Sequence, residues 1–185
     1  MKKIMFGLVA LMMTMSVSAQ KYFTKDGNVA FDANSPVEKI EGTTNKGTLV
    51  IDAATGKLES AVLIKGFHFK IALMEEHFNE NYMESGKFPK ATFAGQILDF
   101  NNVNLKKDGA YPIVVKGNLT MHGVTKPVEA KGILTVKSGA ITNAKASFKA
   151  IMADFGIAIP AAVREKIAKE AKIDMNCAMT AMAAK

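Results

Sequence analysis

The stretch YPIVVKGNLTMHGVTKPVEAKGILTV, residues 111–136, decides the fold of this chain. Apolar residues recur at every second position in both halves, which is typical of a strand with one buried face. His122 and Gly123 separate the halves, and a glycine at that point permits the tight turn of a hairpin. The pattern predicts two antiparallel strands whose inward residues are Ile113, Val115, Leu119, Met121, Val128, Ala130, Gly132, Leu134 and Val136.

The same alternation continues on both sides of the hairpin, interrupted at short intervals by Gly, Asn, Asp and Pro. Many short strands at regular spacing favour an antiparallel sandwich or barrel. The predicted strands are Val29–Ala33, Val37–Thr43, Gly47–Asp52, Leu58–Phe69, Ala91–Phe100, Tyr111–Met121, Val124–Val136, Ile141–Met152 and Ile173–Thr180.

The inward faces of the last strands carry small or flexible side chains. Alanine recurs there, and a closed barrel lined by alanine retains space along its axis. Methionine adapts to flexible apolar ligands, although it also fills ordinary cores, and a packed helix would also select small residues. The inward residues are Ala144, Ala146, Phe148, Ala150 and Met152, followed by Ile173, Met175, Cys177 and Met179.

Two segments have helical periodicity instead. In LMEEHFNENYMES, residues 73–85, an apolar stripe through Phe78, Tyr82 and Met83 predicts a helix whose carboxylates face water. In IPAAVREKIAKEAK, residues 159–172, Pro160 opens a second predicted helix on the surface. The sequence therefore predicts a mainly antiparallel all-β barrel with two short flanking helices.

The first 19 residues have the features of a secretory signal peptide, with Lys2 and Lys3 before an apolar run and a small-residue ending at Ala19. We expect residues 20–185 to form one domain. Its formal charge falls from +7 to +5 without the signal, and its lysines are scattered, so a nucleic-acid partner is not expected. The single cysteine excludes an internal disulfide.

His77 and Glu80 are three residues apart and could share a metal ion. Neither the His-Glu-x-x-His order of zinc proteases nor the Glu-x-x-His order of di-metal bundles occurs here. Serine-nucleophile and phosphate-loop motifs are missing as well. We expect no catalysis, no metal and no cofactor.

Three stretches resemble the YceI-like family of secreted, lipocalin-like barrels. They are NYMESGKFPKATFAG (81–95), GNLTMHGVTKPV (117–128) and ADFGIAIP (153–160), and the second is long and specific. The resemblance implies a barrel of about eight strands whose apolar interior takes up an isoprenoid chain, such as a quinone tail or a prenyl phosphate or alcohol. The expected channel residues are Phe78, Tyr82, Met83, Phe93, Met121, Ala144, Ala146, Phe148, Met152, Phe155, Met175 and Met179.

One departure from the family concerns the head group of that lipid. Members often carry an arginine two positions before the Asp-Phe-Gly motif, where this sequence has Met152. An anionic head group would lack that contact, which favours a neutral or shorter lipid.

The leading hypothesis is a periplasmic protein that carries, stores or sequesters an isoprenoid lipid without catalysis. The alternative is a structural or interaction barrel of the cell envelope with a fully packed interior. Transient contact with a membrane surface and pairing into a homodimer stay open.

Overall fold

The computed structural model of the protein describes residues 20–183, and the predicted signal peptide lies outside them. Ten strands form one sheet in which every pairing is antiparallel. They are β1 (Lys21–Asp32), β2 (Glu41–Asp52), β3 (Lys57–Leu63), β4 (His68–Phe69), β5 (Lys90–Ile97), β6 (Gly109–Met121), β7 (Val124–Lys137), β8 (Ala140–Ile151), β9 (Glu170–Ala178) and β10 (Thr180–Ala181).

Eight of these strands close into a barrel. The order runs β1, β9, β8, β7, β6, β5, β3, β2, and β2 then pairs with β1 again. The short strands β4 and β10 extend the sheet beside β2 and β1. Closure satisfies the backbone groups that an open sheet edge would expose. The predicted lipocalin-like antiparallel barrel is confirmed.

Two tight hairpins fix the registers of the central strands. His122 (φ 51°) and Gly123 (φ 75°) join β6 to β7, and Ser138 (φ 52°) and Gly139 (φ 80°) join β7 to β8. Two successive positive φ angles give the type of turn whose twist matches that of paired strands. The predicted hairpin is confirmed, with every predicted inward position of β6 and β7 on the barrel side.

The strand boundaries differ from the predicted ones near the N-terminus. The two strands predicted at Val37–Thr43 and Gly47–Asp52 are the single strand β2, which pairs with β1 through two register shifts. Gly27 makes this pairing possible, because a Cβ there would lie 2.6 Å from the Cys177 sulfur and 3.0 Å from the Gly47 carbonyl oxygen. A side chain at Gly27 would therefore force β1 away from β2 and β9.

One predicted helix is present and the other is much shorter than predicted. Helix α1 (Ala72–His77) continues into a wider π-type turn over Phe78–Tyr82. The segment after Pro160 forms only the 3-10 helix Ala161–Val163, so the predicted helical stripe there was wrong. Its C-terminal end instead joins the sheet, where Ala171 pairs with Ala150 and is buried. Tertiary pairing outweighs helix propensity at this point.

Three further 3-10 helices connect the strands: Ile64–Gly66, Phe100–Asn102 and Met152–Phe155. The first of them ends β3 at Leu63, before the predicted end at Phe69. None of the helices within residues 20–183 is long and apolar enough to cross a membrane.

The buried side chains form two clusters, one at each end of the barrel. One centres on Leu134, Ile51 and Ile97 at what we call the deep end. The other, which includes Phe78 and Met152, lies at the opposite end beneath α1. Phe93, Phe148 and Met175 pack against both clusters, so they mark the level at which the two halves of the interior meet.

Candidate functional site

The barrel encloses an apolar cavity of about 510 Å³. Such a volume lies within the roughly 300–1,000 Å³ that is usual for ligand sites. The cavity follows β8 from Ala144 to Ala150, which corresponds to about 20 Å along the strand and about 15 Å along the tilted barrel axis. A space of these proportions suits an elongated guest.

The cavity opens to the outside at the end of the barrel where α1 lies. We call this opening the mouth. Ile71 and Leu73 line the cavity and are also exposed, so they form part of its edge. Val163 and Ile167 line it from the segment that replaces the second predicted helix. This explains why apolar residues recur in a segment that is not a helix.

An ion pair spans another side of the mouth. Lys166 Nζ lies 3.9 Å from Glu38 Oε2, and both residues line the cavity. The Ala168 amide also donates a hydrogen bond to the Ala33 carbonyl oxygen at 3.1 Å. These contacts hold the 33–40 loop against the 158–169 segment.

Phe78 attaches the α1 segment to the barrel. Its ring centroid lies 5.6 Å from those of Phe31 and Phe67 and 4.9 Å from that of Phe69, all in tilted arrangements. Such pairs stabilise packing beyond simple burial. All four rings line the cavity, and only Phe78 among them was predicted from the sequence. The alternation of Phe67 and Phe69 within a predicted strand was the available signal.

One side-chain contact crosses the cavity where its two halves meet. The Ser60 hydroxyl donates a long hydrogen bond across the interior to the Met175 sulfur, 3.9 Å away. Phe93 keeps close to the wall at this level, because Gly95 and Gly117 leave room for its ring. We call the Ser60–Met175 contact the waist; a guest that reaches the deep half must pass it.

Packed residues close the deep end. Cys177 is fully buried there, and burial raises the pKa of its thiol from 9.0 to about 11. The thiol is therefore protonated and unreactive at neutral pH, as expected for a structural cysteine. The residues that fill this end without lining the cavity are Tyr22, Val103, Val136, Ile141, Cys177 and Met179.

Ten of the twelve predicted channel residues lie on the cavity wall. Phe155 does not, because the 3-10 helix Met152–Phe155 ends the alternation of β8 and directs Phe155 into the surrounding core. Met179 does not either, since it lies in the packed deep end. The ten on the wall are Phe78, Tyr82, Met83, Phe93, Met121, Ala144, Ala146, Phe148, Met152 and Met175.

Polar groups are few on this wall. Burial raises the pKa of the Tyr82 phenol, which therefore stays neutral. His77 lies at the mouth, and Glu80 is exposed outside it. Within residues 20–183 no group of three His, Cys, Asp or Glu side chains could hold a metal ion. The other polar lining residues are Glu38, Ser60, Thr92, Lys145 and Lys166.

His122 has a structural role that was not predicted from the sequence. Its Nδ1 lies 3.0 Å from the Phe155 carbonyl oxygen and its Nε2 lies 2.9 Å from Glu84 Oε2. The Phe88 ring meets the imidazole edge-on at 4.7 Å. These contacts, which we call the His122 clasp, tie the β6–β7 hairpin to the loops that flank the mouth-end core.

Solved structures share this architecture. A polyisoprenoid binding domain from Saccharophagus degradans superposes with a TM-score of 0.69 at 12% identity, covering 90% of this chain and 99% of that one. BcnA from Burkholderia cenocepacia gives 0.65 at 14% identity, covering 85% and 96%. At such identities the likeness concerns the fold.

Similarity in sequence extends to UPF0312 proteins of other bacteria. A UPF0312 protein from Enterobacter sp. (strain 638) is 33% identical over 109 residues, which is 57% of this chain and 44% of that protein. A UPF0312 protein from Shewanella oneidensis is 31% identical over 103 residues, or 55% and 41%. The match thus spans less than half of each relative.

The family model of the YceI-like domain matches residues 13–179. That range contains all eight strands of the barrel and every residue on the cavity wall. The chain belongs to the YceI-like family.

Proposed function

We propose that this protein binds one long isoprenoid lipid inside its barrel. The observation that carries the proposal is the continuous apolar cavity, which is open at the α1 end and closed by packed residues at the other. The fold shared with a polyisoprenoid binding domain supports the same ligand class. An isoprenoid is a linear apolar chain, and its shape matches a narrow axial cavity.

Apolar contact alone provides the affinity in this proposal. Removing a methylene-sized group from water is favourable by about 0.8 kcal/mol, so a chain of a few isoprene units binds without a charged anchor. The methionines at Met83, Met121, Met152 and Met175 adapt to the methyl branches of such a chain because their side chains are unbranched.

The head group is neutral in our proposal, as in a prenol or a quinone. Met152 is buried on the wall at the position where the resemblance implies an arginine. The cation among the lining residues at the mouth, Lys166, already faces Glu38. A phosphate would therefore find no unpaired cation among the residues that line the cavity at the mouth.

The biological role that we propose is carriage or sequestration of this lipid in the periplasm, without catalysis. The predicted signal peptide at residues 1–19 supports the location. A purely structural barrel is the alternative, and it predicts a filled interior; the cavity of about 510 Å³ favours the lipid-binding hypothesis instead.

The substitution Ala146→Phe tests the proposal. Ala146 lies on the wall between Gly132 and Met175 in the sheet, so a phenyl ring there projects into the cavity. We expect uptake of geranylgeraniol, measured by native mass spectrometry, to fall at least about tenfold, the equivalent of losing roughly two buried methylenes.

Lys131→Phe is the matched control, because it adds the same ring to the exposed outer face of β7. Circular dichroism establishes that both variants retain the sheet. Equal uptake by the two variants would contradict a ligand in the barrel.

A further inference from the structure

Exposed apolar side chains are concentrated around the mouth of the barrel. Within residues 20–183 eight large apolar side chains are exposed. Three belong elsewhere: Leu98, Ile133 and Met182. The other five surround the mouth, and we call them the rim: Val37 (66% exposed), Leu63 (52%), Ile71 (51%), Leu73 (56%) and Ile151 (48%).

The rim is continuous with the cavity wall. Ile71 and Leu73 belong to both, and Val37 directly precedes Glu38, which lines the cavity. Leu63 and Ile151 end strands whose next residues, Ile64 and Met152, line the cavity. The apolar surface of the interior thus extends onto the outside of the protein. Apolar patches of this kind mark contact sites.

The charges beside the rim favour an anionic partner. Two of the nearby carboxylates are engaged: Glu38 faces Lys166 at 3.9 Å, and Glu75 accepts a hydrogen bond from the Phe69 amide at 3.1 Å. The exposed acids left on the segments 33–40, 68–77 and 158–169 are Glu76 and Glu165. Four exposed cations without an ion-pair partner in the described residues oppose them: Lys39, Lys70, Arg164 and Lys169.

We propose that the rim docks on the surface of a bilayer that contains anionic lipid. This inference rests on the proposed function, because an isoprenoid lipid is dissolved in a membrane and is almost insoluble in water. Docking by the mouth lets the chain pass from bilayer to cavity without crossing water. The apolar rim side chains enter the interface while the flanking lysines remain at the head groups.

The test is flotation of the purified protein with ligand-free vesicles of phosphatidylethanolamine and phosphatidylglycerol. We expect the protein to float with these vesicles and less with phosphatidylcholine vesicles. The double variant Val37→Gln/Leu63→Gln, which changes rim residues outside the cavity wall, should lower the vesicle partition coefficient at least tenfold. The matched control Leu98→Gln/Ile133→Gln should leave it unchanged.

A second readout separates docking from ligand binding. Geranylgeraniol presented in cyclodextrin, without vesicles, should be taken up equally by the wild type and the rim variant. Equal flotation of rim and control variants, or no flotation of the wild type, would overturn the docking proposal even where uptake is intact. Absence of uptake from cyclodextrin by every variant would instead overturn the proposed function.

Discussion

At the scale of single residues, we expect Met175 to control how far a ligand can enter. It belongs to the level shared by both core clusters, and its sulfur accepts the hydrogen bond from Ser60 across the interior. A short chain fits between mouth and waist, whereas a longer one must displace the flexible Met175 side chain. We therefore expect the waist to discriminate between ligands by the length of their isoprenoid chain.

We expect Met175→Ala to change the preference for chain length. In the wild type, affinity for prenols from farnesol to solanesol should level off once the chain reaches the waist. In the variant it should keep rising, by at least about tenfold for one further buried isoprene unit at about 0.8 kcal/mol per methylene. Competition binding across the prenol series measures both profiles.

Met179→Ala is the control, because Met179 directly follows β9, the strand that carries Met175, but lies outside the cavity. It should cost stability and leave the length profile as in the wild type. Identical chain-length profiles for Met175→Ala and Met179→Ala would contradict the proposal that the waist limits ligand length.

Period-two alternation placed most wall residues correctly, because it gives the side of the sheet on which each residue lies. The alternation does not tell how deep along the barrel axis a residue lies. Met179 was therefore grouped with Met175, although Met179 fills the closed end. Alternation also fails where the strand ends, which explains Phe155. The role of His122 depends on partners 33 and 38 residues away, which no local pattern reveals.

At the scale of elements, the β6–β7 hairpin was predictable and the segment after Pro160 was not. Turn chemistry at His122-Gly123 and alternation on both sides agree with each other. After Pro160 the apolar residues follow a helical spacing, but the end of the segment can also pair with β8 in the sheet. The sheet forms there because pairing with β8 buries Ala171. The sequence also could not indicate that the Asn45-Lys46 stretch continues β2, since that depends on Gly27 in β1.

The contacts of the His122 clasp should stabilise the fold, because they join the β6–β7 hairpin to the flanking loops. We expect His122→Asn to lower the free energy of unfolding by about 1–2 kcal/mol, measured by urea denaturation. Asparagine tolerates the positive φ of this position, so the loss reports the two hydrogen bonds and not backbone strain.

His68→Asn serves as the control for that prediction. The His68 side chain is 76% exposed and lies 3.5 Å from Glu75, so its loss should change stability by less than about 0.5 kcal/mol. Unfolding of His122→Asn at the wild-type urea concentration would contradict a stabilising clasp.

At the scale of the whole molecule, closure of the sheet is what creates the site. Alanine on β8 and glycines on β5 and β6 keep the axis open, while large side chains fill the deep end. The sequence predicted the barrel and its apolar interior, because both follow from alternation and residue size. It could not predict the mouth, because the segments that form it are separated by up to about 130 residues in the chain and meet only in the fold.

The most direct test of the central claim is mass spectrometry of an organic extract of the protein, purified from its native envelope under non-denaturing conditions. We predict an isoprenoid lipid at close to one molecule per chain, with a neutral head group. An extract free of isoprenoid, from protein that also takes up no added prenol or quinone, would contradict the account.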